Sequence, residues 1–227
     1  MQKLLLTLIL TALLFGCAGT PLLDPTVDKH GAAQQALDTG NYYLAIQLFN
    51  QLAEENPPPK RYEYQYGAAQ AMFNAGLGQQ AGQLLEQIPP AQLPPALRMR
   101  YQLLQAEIPL KRDPGLTLSL LQKPAVAEAQ LPDQMGLYAN FHLLRARAFA
   151  RQGNHLETAR EYILRELYLS DIHEIEANQL AVWQSLSMLA PEDRSKLRLQ
   201  PPPDALSGWM ELVAIAKDYG LAPAEVQ

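Results

Sequence analysis

The strongest constraint on this chain is where its prolines fall. None of the 18 precedes Pro21, and they gather as Pro57 to Pro59, Pro89 with Pro90, Pro94 with Pro95, and Pro201 to Pro203. Proline inside a helix removes a hydrogen bond and clashes with the preceding turn, so the intervals between clusters are the units within which helices form. Pro25 to Pro57 leaves 31 residues and Pro59 to Pro89 leaves 29, each the length of two helices and a turn. In the first interval Gly40 and Asn41 interrupt the apolar pattern, predicting helices over 27–39 and 42–55. In the second a break at Gly76 to Gly78 predicts 60–75 and 78–88. The spacings Gly40 to Gly76 and Ala45 to Ala81 are both 36 residues, a fixed internal period.

The rest of the chain follows the same logic. Pro95 to Pro124 holds a shorter pair, expected at 96–107 and 114–122, with Leu97, Tyr101, Leu104, Leu116, Leu120 and Leu121 as its apolar set. The 58 proline-free residues before Pro191 are too many for one hairpin and predict helices over 133–151, 155–169 and 172–189. Asp171 with Glu174 has the form of a capping box and marks the third start. A short helix from Pro191 to about residue 199 and a last one over 204–219 complete the chain, the last presenting Leu206, Trp209, Leu212, Val213 and Ala216. Composition agrees: 41 Leu, 31 Ala and 22 Gln stand against 13 Val plus Ile and 7 Thr, which feeds helices and starves strands. The expected fold is all-α, a stack of antiparallel helical hairpins.

Charge and cysteine content exclude several functions. The net charge is -5 and no three basic residues run together, which argues against a nucleic-acid partner. The single cysteine rules out intrachain disulfides and any Cys-based zinc cage. That cysteine, Cys17, ends an apolar run from Leu4 to Phe15 that follows Lys3 and is too short to span a bilayer. Leu14, Phe15, Gly16 and Cys17 resemble the lipobox of bacterial lipoproteins, which implies a signal peptide over 1–16 and a diacylglycerol on Cys17. Ala18 behind it resembles the outer-membrane sorting choice, so the expected location is the periplasmic face of the outer membrane. Residues 17–25 are then a lipidated linker, 26–220 the helical domain and 221–227 the start of a linker or tail.

Ala45, Phe49 and Pro57, with Gly40 and Tyr42 ahead of them, resemble the second half of a tetratricopeptide repeat. Ala69, Gly76, Ala81 and Leu85 fit a second copy, while Lys29, Ala36 and Gly78 depart from the consensus. The resemblance implies a solenoid in which Ala33 and Ala69 allow close approach and Phe49 and Leu85 fill the gaps. It also implies that the first helix of each pair lines a concave surface. Its candidate partner-binding groove is Gln34, Leu37 and Asp38 in the first copy and Tyr66, Gln70, Phe73 and Asn74 in the second.

Near the carboxy terminus Asn178, Trp183 and Leu186, then Leu206, Gly208, Trp209 and Leu212, form the pattern N-x4-W-x2-L followed by L-x-G-W-x2-L. With the lipobox and degenerate repeats, this resembles the amino-terminal domain of the LpoA-type outer-membrane lipoprotein activators of penicillin-binding proteins. The resemblance implies a class A penicillin-binding protein, a peptidoglycan synthase, as partner. It also implies a following domain with a periplasmic-binding-protein fold, which is expected to be lacking here. The alternative is a generic scaffold lipoprotein of an outer-membrane assembly or secretion complex.

Other motifs are weaker. Gly76, Gly78 and Ala81 spell a dinucleotide fingerprint but sit between two helices instead of after a strand. His30, His142, His155 and His173 lack metal-ligand spacing and read as solvated turn residues. There is no G-x-S-x-G elbow. The expectation is a non-enzyme with no catalytic residues, no cofactor, no metal and no small-molecule substrate. The two tryptophans read as core.

Overall fold

The computed structural model describes residues 28–190, 192–193 and 206–218. Cys17, the linker after it and the short helix expected from Pro191 to 199 fall largely or wholly outside those residues. The architecture is all-helical: α1 (Lys29–Asp38), α2 (Tyr42–Glu55), α3 (Lys60–Asn74), α4 (Gly78–Leu85), α5 (Pro95–Glu107), α6 (Pro114–Leu120), α7 (Met135–Arg151), α8 (His155–Glu166), α9 (Ile172–Ser187) and α10 (Leu206–Asp218). No strand occurs among the described residues. Consecutive helices pack against one another as antiparallel neighbours, so the chain builds sideways from pair to pair.

Three of the pairs share one turn. At the end of α1, Asn41 N–H donates to Ala36 O (2.8 Å) and Gly40 N–H to Leu37 O (3.2 Å). Leu77 and Gly76 repeat this onto Met72 and Phe73 after α3, and Asn154 and Gly153 onto Phe149 and Ala150 after α7. This is the Schellman pattern, which ends a helix by satisfying its orphan carbonyls and needs a left-handed residue. Gly40, Gly76 and Gly153 supply it, with φ of +79°, +82° and +72°. The third pair lacks such a turn: α5 runs out ahead of Pro109, and α6 starts on an Asp113 side chain accepting from Leu116 N–H at 2.9 Å.

Small residues set the helix spacing, as the repeat pattern predicts. Ala33 and Ala69 are fully buried, and Phe49 and Leu85 lie among them. Gly67 carries the same logic further, since a Cβ there would stand 2.8 Å from the Phe49 ring, too close for α2 and α3 to keep their packing. Tyr66, Leu85, Ile88, Leu93, Tyr101 and Leu104 form the core between the second and third pairs. Leu186, Val182, Leu206, Met210 and Val213 form the carboxy-terminal core, with Trp183 and Trp209 half-buried against it.

Three expectations need correction. Leu212 is 53% exposed and Met210 takes its place, because α10 buries the narrow i, i+4, i+7 stripe of Leu206, Met210 and Val213. Leu116 is 46% exposed because α6 is rotated to bury Thr117, whose hydroxyl donates to Ala106 O at 2.9 Å. His142 is no solvated turn residue. It lies within α7, pairs with the buried Glu161 through Nδ1 at 2.8 Å and stacks on Tyr168. The start of α9 is as expected, with Asp171 accepting from His173 and Glu174 N–H, each at 3.0 Å.

Candidate functional site

The inner faces of α3 and α5 meet along a seam, and two clefts open on it. On α3 the stripe is Glu63, Tyr66, Gly67, Gln70 and Phe73; on α5 it is Leu97, Arg100, Leu104 and Glu107, with Ile108 capping the helix. Both follow the three- and four-residue steps that place side chains on one helix face.

The smaller cleft, about 150 Å³, lies where α1 reaches α3. Gln34 and Leu37 of α1 line it with Tyr66 and Gln70 of α3, and Leu97 and Arg100 of α5 close the far side. Four of the seven candidate groove residues thus share one concavity. Leu37 and Tyr66 are buried and contribute floor, whereas Gln34 is exposed and Gln70 half-buried. Asp38 is exposed outside the lining and accepts from Gln34 Nε2 at 2.9 Å. Burial pushes the Tyr66 phenol up to about 12, partly opposed by the nearby Arg100 and reinforced by Glu107.

The larger cleft, about 720 Å³, lies further along the seam where α7 and α8 join. Phe73 lines this one and not the smaller, and Asn74 is exposed beside it without lining either. Its other walls were not foreseen: Glu107 at the end of α5, Ile108, Leu110 and Lys111 just after it, Arg147, Ala150 and Arg151 from α7, and Tyr162 from α8. A signal for it existed, because Arg147 and Arg151 are four apart on α7 and so share a face, while Arg145 turns away.

Arg145 instead joins a second cluster. Glu161, 4% exposed, accepts from Arg145 at 2.7 Å and from His142 at 2.8 Å. Arg145 Nη1 also donates to Leu121 O at 2.6 Å, and its guanidinium lies 5.7 Å from the Phe141 ring centre and 5.6 Å from that of Phe149. Tyr168, stacked on His142 and Tyr138, donates to Glu128 at 3.1 Å. With every charged partner engaged, this arrangement ties α7, α8 and the segment after α6 together. Among the described residues no three His, Cys, Asp or Glu side chains are placed to hold a metal ion. No helix among them is long and apolar enough to cross a membrane.

Antiparallel hairpins closed by a repeated Schellman turn, with clefts along an inner seam, define a tetratricopeptide-like helical-repeat protein. The chain belongs to the family described as LppC putative lipoprotein, whose model matches residues 39–227. It is 29% identical over 223 residues to the penicillin-binding protein activator LpoA of Edwardsiella piscicida, covering 97% of this chain and 30% of that protein. Against the activator of the same name from Edwardsiella ictaluri the identity is 27% over the same coverage. The chain thus spans about 30% of the length of these relatives. The crystal structure of the E. coli LpoA amino-terminal domain superposes with a TM-score of 0.58 at 26% identity, covering 77% of this chain and 76% of that one. The Haemophilus influenzae LpoA amino-terminal domain shares the fold, with a TM-score of 0.55 over 85% of this chain and 86% of that one.

Proposed function

We propose that this chain is a lipoprotein of the outer membrane, attached through Cys17 and facing the periplasm, that docks and regulates a class A peptidoglycan synthase. The observation that carries this reading is alignment along 97% of the chain with relatives named as penicillin-binding protein activators. Residues 17–25 act as the lipidated linker, 26–220 as the helical-repeat domain and 221–227 as a linker or tail. The domain acts as a regulator and not as an enzyme, a reading supported by relatives named as activators. Docking uses the inner seam, with Gln34, Leu37, Asp38, Tyr66, Gln70, Phe73 and Asn74 at or beside its clefts.

A rod of stacked hairpins anchored by lipid extends from the outer membrane towards the cell wall, since each helix of about 12 residues is about 18 Å long and each added pair widens the stack by about 10 Å. Such a rod serves as a stalk and adaptor, so residues 18–227 are expected to bind the synthase and to stimulate glycan polymerisation or crosslinking weakly or not at all. Purified soluble protein added to a class A synthase tests this. Binding with little stimulation is expected; full stimulation refutes the adaptor role, and no binding to any class A synthase favours the general scaffold reading. Cys17→Ala is expected to move the protein from the membrane fraction to the soluble periplasm.

A further inference from the structure

The larger cleft gathers three cations around a single carboxylate. Four cations elsewhere are ion-paired, Lys29 with Glu55, Lys60 with Glu63, Arg145 with Glu161 and Arg160 with Glu157. Lys111, Arg147 and Arg151 line one cavity, and among the described residues none has a carboxylate at ion-pair distance. Glu107 is the one carboxylate in the lining, so the cleft is cationic within a chain of net charge -5. Its walls are nonetheless apolar between the charges, with Phe73, Ile108 and Tyr162 facing the same space. Further along α5, Arg100 lies two turns before Glu107, about 10 Å away. It also lacks a carboxylate partner among the described residues.

We infer that this cleft binds an extended acidic segment of a partner protein, its carboxylates on Arg147, Arg151 and Lys111 and an apolar side chain against Phe73 and Ile108. Guanidinium groups hold carboxylates through paired hydrogen bonds, and such groups left unpaired in a concave site gain by taking an anionic partner. Alternation of acidic and apolar residues suits the site, because an extended chain sends successive side chains to opposite sides, one set towards the cations and the other towards the apolar wall. The inference deepens the groove reading above by naming the chemistry of the occupant, and it rests on that reading only for the path towards Arg100.

The test is fluorescence anisotropy on residues 18–227 with a labelled, end-capped peptide of alternating glutamate and leucine, beside a counterpart with glutamine at every glutamate. The acidic peptide is expected to bind at least about tenfold more tightly at low salt, with the difference shrinking as salt is raised. R147Q with R151Q is expected to remove that preference, and R147E with R151E to transfer it to a lysine–leucine peptide. The double variants lie on an exposed face, and an unchanged thermal melt shows that they fold. Equal binding of the acidic and glutamine peptides, or undiminished preference in R147Q/R151Q, overturns the proposal. Binding of a soluble disaccharide-tetrapeptide in place of the acidic peptide also overturns it, assigning the cleft to cell-wall fragments. If Gln34→Ala with Gln70→Ala leaves acidic-peptide binding intact while R147Q/R151Q abolishes it, the cationic cleft stands and the wider groove reading fails.

Discussion

The first two hairpins and the hairpins from α7 to α9 solve the same packing problem with different chemistry. Between α1 and α3 the contacts are alanines, leucines and a phenylalanine ring lying on a glycine, an apolar joint set by size. Between α7 and α9 the joint is partly polar. Glu161 bridges Arg145 and His142, and Asn178 takes Arg165 Nη1 at 3.1 Å while donating to Tyr162 O at 2.7 Å. An apolar joint loses stability in proportion to the volume removed, whereas a polar joint fails when one partner is deleted and the others are left buried without it. Helical-repeat geometry therefore does not dictate how successive units are held together.

That contrast gives predictions of graded size. Phe49→Ala, which leaves a cavity over Gly67, is expected to cost about 4 kcal/mol in chemical denaturation. Glu161→Ala is expected to cost about 3 kcal/mol, because Arg145 and His142 lose their acceptor in a largely dry site. The sharper comparison is Glu161→Leu combined with Arg145→Met and His142→Phe, expected to recover most of that loss. If the triple variant is no more stable than Glu161→Ala, the polar joint is not interchangeable with an apolar one.

Tyr66 gives a pH test in the joint between the second and third pairs. Its folded pKa is raised from 10.0 to about 12, so the folded state holds the phenolic proton more tightly than the unfolded state does. The associated stability is fully present below pH 10 and is lost as pH rises towards 12, by about 2–3 kcal/mol. Tyr66→Phe is expected to flatten the fall in stability over that range. Smallest is Asp171→Ala, which removes the acceptor for the His173 and Glu174 amides at the start of α9 and is expected to cost about 1 kcal/mol.

The regular part of the fold was legible because it depends on local chemistry. Prolines mark the hairpin limits, Gly40, Gly76 and Gly153 mark the turns, and Ala33 and Ala69 mark close approach. Rotation of a helix about its axis was less legible. Leu116 and Leu212 were expected inside, but the neighbouring surfaces select Thr117 and Met210 instead. The stripes on α1 and α3 were readable from three- and four-residue spacing, and most of their residues line the clefts. The cationic walls from α5 and α7 were not, because Lys111 and Arg147 are 36 residues apart and meet only when the third and fourth pairs stack. Glu161 escaped notice for the same reason, its partners lying on the preceding helix.

Hydrogen–deuterium exchange of residues 18–227, with and without a purified class A synthase, tests most directly that the inner seam is the docking surface. New protection is expected on α3, α5 and α7, around Gln70, Arg100 and Arg147, with the exposed side of α10 at Leu212 and Ile215 unchanged. Protection confined to α9 and α10, with the seam exchanging as in the free protein, would contradict it.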